Sequence, residues 1–185
     1  MITVRQIKEG DVPGFRAALD SVCRERTFLA ALEAPSEQHA AEFIRKNVER
    51  GYPQFVAERE GAIVGWCDAI PGDPTAGTAH VGRLGMGVVR EFRGQGIGRR
   101  LLDATINRAR AIGLEKIELS VYASNRPAIA LYKKCGFFEE GRKKRGRFID
   151  GAYDDVLLFA LMLIESNKSL DRMPGTNAPN ESDSH

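Results

Sequence analysis

The run "REFRGQGIGRRLL", residues 90–102, constrains this chain more than any other stretch. A glycine-rich strand pattern, "AHVGRLGMGVV", feeds into it. A helical pattern leaves it: Leu101, Leu102, Thr105, Ala109 and Ile112 fall on one side, Arg99, Asp103, Asn107 and Arg110 fall opposite, and Gly113 supplies a stop. "KIELSVYA" then reads as a further strand. Strand, helix, strand in that order is a βαβ crossover with parallel neighbours, which commits the chain to an α/β fold built on a sheet.

The junction itself has chemistry. A helix N-terminus carries unpaired backbone N–H groups and the positive end of the helix dipole, so it takes an anion wherever side chains leave it bare. Gly94, Gly96 and Gly98 leave it bare, and Arg93, Arg99 and Arg100 add charge that phosphate oxygens pair with. A turn that needs glycine only for its backbone angles is the plainer alternative. Three glycines flanked by arginines favour a pyrophosphate site. Two familiar phosphate motifs fail: a Walker loop needs Lys and Ser or Thr where Arg99 and Arg100 stand, and the dinucleotide pattern wants Gly or Ala at Arg99. A nucleotide carrier other than NAD fits better.

Around this unit, "ITVRQI" predicts a short strand and Asp11 the start of a helix running to about Arg24. "PSEQHAAEFIRKNVERG" predicts a second helix with Ala40, Phe43, Ile44 and Val48 on its apolar stripe. "PQFVAEREGAIVGWCDAI" reads as a hairpin turning at Glu60 and Gly61, with Phe55 and Trp66 in the core. Gly85 and Gly87 in the next strand imply a bulge or a close approach by another molecule. "NRPAIALYKKCG" has Pro127 in a first helical turn and Gly136 past its end. Two final strands follow, with the basic run from Arg142 to Arg147 assigned to a solvated turn between them. From about Ser166 no apolar period remains, which predicts one domain over 1–165 and a disordered polar tail over 166–185.

Composition narrows the function classes. Lys and Arg number 27 against 25 Asp and Glu, so net charge argues for neither a nucleic-acid nor a membrane partner. Cys23, Cys67 and Cys135 and the three histidines are scattered at no metal-ligand spacing, so no metal site is expected, and Cys135 reads as a small buried hydrophobe. The start "MITVRQIKEG" has no apolar leader segment, and a cytoplasmic location is expected.

"MGVVREFRGQGIG" resembles the acetyl-CoA-binding motif of the GNAT superfamily of N-acetyltransferases: Arg or Gln, two residues, Gly, one residue, Gly or Ala, met by Arg93, Gly96 and Gly98. "NRPAIALYKKCGF" resembles the superfamily's second signature, an Asn, a helix with a Tyr, and a closing Gly-Phe. The resemblance covers the chain from Ile2 to about Ile164. It implies a mixed, strongly twisted sheet of about seven strands flanked by about four helices, splayed between the fourth and fifth strands. It further implies that the Met86 and Val88 backbones hold the pantetheine of acetyl-CoA, with one N–H polarising the thioester carbonyl. Arg93, Gly94, Gly96, Gly98 and Arg99 would hold the pyrophosphate, Asn125 the pantetheine arm, and Tyr132 would protonate the departing sulfur.

The implied reaction is acetyl transfer to a primary amine by direct attack in a ternary complex, the acceptor being a small molecule. Protein N-terminal or lysine acetylation and a non-catalytic acyl-CoA sensor are the rivals. Many members of the superfamily pair, so a homodimer is compatible. Spacing alone puts Tyr132 with Ala128, Leu131 and Cys135 on a buried stripe, and only the motif gives it a chemical role. Glu118, Asp68 and His80 lie on expected central strands, and none is assigned as the base. "DGAYDDV" bears a weaker likeness to members acting on amino acids, antibiotics, polyamines or ribosomal protein N-termini, which leaves Tyr153, Asp154 and Asp155 between an acceptor pocket and a solvated hairpin.

Overall fold

The computed structural model describes residues 1–164. Its strands are β1 (Ile2–Gln6), β2 (Gln54–Arg59), β3 (Ala62–Pro71), β4 (Val81–Val88), β5 (Lys116–Tyr122), β6 (Phe138–Ile149) and β7 (Ala152–Met162), and its α-helices α1 (Val12–Cys23), α2 (Glu37–Glu49), α3 (Ile97–Ala111) and α4 (Arg126–Lys134). The seven strands make one sheet ordered β1-β2-β3-β4-β5-β7-β6. Only β4 and β5 run parallel, as the crossover through α3 demands. The tail expected to be disordered lies outside the described residues.

Alternation along β3 assigns the two faces. Cys67 and Ala69 pack with Leu101, Leu102, Ala109 and Ile117 against α3, whereas Trp66 packs with Phe15, Val22 and Ile44 under α1 and α2. Phe15 meets Trp66 edge to face at 5.9 Å between ring centroids. A register shift between Ala57 and Glu58 brings two successive β3 residues to the α3 side, so the hairpin carries a bulge that sequence alternation does not announce. Thr105, on the buried face of α3, donates its hydroxyl to the Cys67 carbonyl at 3.3 Å, which makes a polar residue tolerable there.

Three expectations change. Phe43 is exposed, and the neutral Asn47 takes its place on the buried side of α2, donating to Gln54 Oε1 at 2.9 Å. No bulge forms in β4; the close approach is by the chain itself, since a Cβ on Gly87 would sit 2.3 Å from the Trp66 ring. The basic run is not the final turn: residues 142–147 lie within β6, and the chain reverses at Asp150 and Gly151, both at positive φ (49° and 80°). The physical reason is an edge strand exposed along most of its length, where lysines and arginines guard unpaired backbone and a register shift between Lys143 and Arg147 kinks the strand. Sequence alternation cannot find a strand that has no buried face.

Candidate active site

The splay that positions the site follows from the register. β4 pairs with β5 only from Val81 to Arg83, with Arg83 opposite Glu118; beyond that point the strands part. On its other edge β4 stays paired with β3 as far as Val88, opposite Gly65. Val89 N–H donates to Val64 O at 2.9 Å and Gly72 N–H to Val81 O at 2.9 Å, so the odd-numbered β4 residues make the bonds to β3. Leu84, Met86 and Val88 therefore turn their backbone groups toward the gap. The two backbones expected to hold the pantetheine lie on this unpaired edge.

The gap opens into a cleft of about 460 Å³ whose lining runs from Leu84 and Met86 to Gly96 and on to Asn125 and Tyr132. At the end formed by the start of α3, Gly94 and Gly96 have φ of 75° and 76°, and a Cβ on either would meet nothing within 4 Å. Glycine serves the left-handed backbone here and leaves the surface bare. Gly96 is the N-cap of α3 and has no side chain to satisfy the first N–H groups, which stand free for an acceptor. Gly98 differs: its Cβ would lie 3.3 Å from Leu131 and 3.4 Å from Met86, so it permits close packing between α3, α4 and β4. Arg99 is exposed and ion-paired to Asp103 one turn along at 2.8 Å.

Arg93 is engaged by groups of the protein itself. Its Nε donates to Val88 O at 2.8 Å, its guanidinium makes a two-pronged pair with Glu25, and it stacks on Phe28 at 4.8 Å. Glu25 and Phe28 belong to residues 24–36, the connection between α1 and α2. That connection is tied at a second point: Arg26 pairs with Asp150 at 2.6 Å, and Arg147 donates to Thr27 O at 2.9 Å and Arg26 O at 2.6 Å. It thus forms a strap from the glycine turn to the β6–β7 hairpin, with Phe28 and Leu29 in the cleft wall. "RERTFLAAL" has no helical or strand period, and no local signal in the sequence marks it as part of a site.

At the other end, Asn125 caps α4 by accepting from Ala128 N–H at 3.3 Å, which leaves its amide NH2 for the cleft. Tyr132 is 7% exposed, leans on Phe137 at 5.7 Å and also lines the cleft, so it is packed in the core with an edge on the cleft. Burial, helped by the Cys67 and Cys135 thiols, holds its phenol above the ordinary range, so it stays protonated at neutral pH. Cys135 is half-buried with its thiol also pushed up by burial, unlike an activated nucleophile.

Among the other candidates, Glu118 is held by Lys116 at 2.8 Å, and His80 precedes β4, where its carbonyl accepts from Glu115 and Lys116 N–H. Tyr153 and Asp155 are used by the hairpin itself: Tyr153 stacks with Phe148 and lies under Arg145, and Asp155 takes Arg142 at 2.7 Å. Asp154 accepts from the Ser124 hydroxyl at 2.5 Å. No cluster of three potential metal ligands occurs among the described residues, and no described helix is long and apolar enough to cross a membrane.

A bare helix N-terminus is thus joined by an unpaired strand edge to a cleft with a buried tyrosine in its lining. The acetyltransferase (GNAT) family profile matches residues 19–137, well over half the chain. The protein belongs to the GNAT family and is an acyltransferase. A phosphinothricin N-acetyltransferase from Alcaligenes faecalis is 27% identical over 157 residues, 84% of this chain and 80% of that protein. A ribosomal-protein-alanine N-acetyltransferase from Brucella melitensis superposes with a TM-score of 0.79 at 28% identity, covering 86% of this chain and 99% of that one. A GNAT phosphinothricin acetyltransferase from Sinorhizobium meliloti, solved with acetyl-CoA, shares the fold with a TM-score of 0.80 at 23% identity, over 87% of this chain and 88% of that one.

Proposed function

We propose that this GNAT acyltransferase uses acetyl-CoA to acetylate a primary amine on a small molecule, by direct attack in a ternary complex. The observation that carries the reading is the unpaired edge of β4, which runs from the bare start of α3 to Tyr132. Acetyl-CoA supplies an activated acetyl thioester. The free N–H groups of Gly96, Ile97, Gly98 and Arg99, with Gly94 beside them, bind its pyrophosphate; Arg99 adds a cation, and Arg93 becomes a further contact when it leaves Glu25. The Met86 and Val88 backbones and the Asn125 amide hold the pantetheine, and one of the β4 N–H groups polarises the carbonyl. Tyr132, a protonated phenol at neutral pH, delivers a proton to the sulfur.

The small-molecule acceptor is supported by the strap, whose ties to Arg93 and to the β6–β7 hairpin hold Phe28 and Leu29 in the cleft wall and bound the cleft on that side. It is supported also by the phosphinothricin relative, whose named acceptor is a small molecule. The ribosomal-protein-alanine relative favours protein N-termini as the second reading.

Calorimetry with acetyl-CoA, using NADH and ATP as controls, tests the donor, and thiol release over a panel of amines and N-terminal peptides tests the acceptor. Tyr132→Phe should lower kcat at least tenfold while leaving acetyl-CoA affinity within twofold. Equal turnover would return Tyr132 to a packing role. Acetyl-CoA binding without transfer to any amine, unchanged by Tyr132→Phe, would identify a sensor.

A further inference from the structure

Asp68 is a carboxylate in an unusual place. It stands on the α1 and α2 face of β3, 8% exposed, and no side chain of the described residues hydrogen-bonds or ion-pairs with it. Its partner on β4 is Gly85, two residues beyond the last β4–β5 pair and so at the apex of the splay. A Cβ on Gly85 would come within 3.3 Å of Asp68 Oδ1. The carboxylate therefore leans over bare backbone, and Gly85 lines the cleft.

The surroundings are polar without being charged. Across β2, Asp68 is paired with Gln54, which is fully buried and whose Nε2 has no hydrogen-bond partner; beyond it Asn47 reaches down from α2 to Gln54 Oε1. These neighbours offer a donor and no compensating cation. Arg83, the next residue along β4 on the same face, is exposed, and the Cys67 thiol lies on the opposite face. Burial pushes the Asp68 carboxyl up to about 7, with the Gly85 backbone pulling the other way. The remaining carboxylate at the parting of the strands, Glu118, is occupied by Lys116.

We propose that Asp68 accepts, across Gly85, the proton that the acceptor's ammonium group must lose before its nitrogen can attack. The assignment rests on the acetyltransferase reading above. An acetyl group held against Met86 presents the face next to Gly85 to an amine arriving from the α1 and α2 side of the sheet. The ammonium gives one proton to Asp68. The neutral nitrogen bonds to the acetyl carbon as the carbon–sulfur bond breaks, its surplus proton passes to the sulfur by way of Tyr132, and Asp68 releases its proton to water. The acetyl group passes to the nitrogen and two protons leave it, one through Asp68 to water and one to the sulfur, and no oxidant or metal is required.

Asp68→Asn keeps the shape and removes the base. With the best amine of the panel, the variant should keep its acetyl-CoA affinity by calorimetry and lose about 100-fold in kcat/KM for the amine. In the wild type kcat/KM should rise through a midpoint near pH 7, as the carboxyl ionises, and this step should be missing from the variant. A variant with wild-type rate and pH profile overturns the assignment while leaving the acetyltransferase reading intact. A wild-type protein that binds no acetyl-CoA overturns that reading, and the assignment with it. A readout without turnover is the Asp68 carboxyl carbon in the wild-type protein, followed by NMR against pH. A midpoint near 7 is expected, and one near 4 overturns the proposal even if the variant fails to fold.

Discussion

The two halves of the sheet are built on different terms. From β1 to β4 both faces carry helices, α3 on one side and α1 and α2 on the other, and the middle strands β2 and β3 bury Val56, Ala57, Val64, Trp66, Cys67 and Ala69 to 3% exposure or less. From β5 through β7 to β6 the α1 and α2 side is left uncovered: Ser120 and Lys143 are exposed there, and β6 is an edge strand of lysines and arginines. The cleft opens where the covered half ends. One wall, β4, has the packed half of the sheet behind it; the facing wall comes from β5 and α4, and the strap beside it is tied to the hairpin by the Arg26–Asp150 ion pair and by Arg147.

The largest effect should come from the covered half. Leu101 is fully buried between α3 and the sheet, and Leu101→Ala should cost about 3 kcal/mol in urea unfolding through lost burial and the cavity left behind. A loss under about 1 kcal/mol would mean that this half repacks freely, and the contrast between the halves would fail.

At the boundary, Gly96→Asp tests chemistry more than packing. Its Cβ would meet nothing within 4 Å, so the fold should survive, though an aspartate at φ 76° is strained by about 1 kcal/mol. A carboxylate over the free N–H groups of α3 repels phosphate, and acetyl-CoA affinity should drop at least 100-fold by calorimetry. Unchanged affinity would show that the glycines serve only the turn.

The same division explains what could be read from the chain. The crossover, the glycine turn and the α4 motif were legible because each couples a spacing to a backbone need: φ above zero at Gly94 and Gly96, close packing at Gly98, a cap at Asn125. The strap was not. Its ties join Glu25 to Arg93 and Arg26 to Asp150, 68 and 124 residues apart, and no local pattern encodes such pairs. Asp68 showed itself in sequence only as a polar residue in a strand. Its burial comes from Gln54 and Gly85 on two other strands, one of them brought into register by a hairpin whose bulge was also hidden.

The smallest effect should be on the open face. Phe148 is 62% exposed and packs across the hairpin on Tyr153, with ring centroids 4.6 Å apart and Arg145 over the Tyr153 ring at 3.7 Å. An exposed cross-strand aromatic pair contributes about 0.5 kcal/mol, so Phe148→Ala should barely move the urea midpoint, roughly a sixth of the Leu101→Ala effect. The measurement gains meaning when run at two protein concentrations. A small loss independent of concentration fits a hairpin open to water. A loss of 2 kcal/mol or more that grows with concentration would mean that a second copy covers this face, since only burial against another surface gives an exposed ring that much to lose. The uncovered half of the sheet would then be half of a homodimer, and its contrast with the covered half a property of the isolated chain alone.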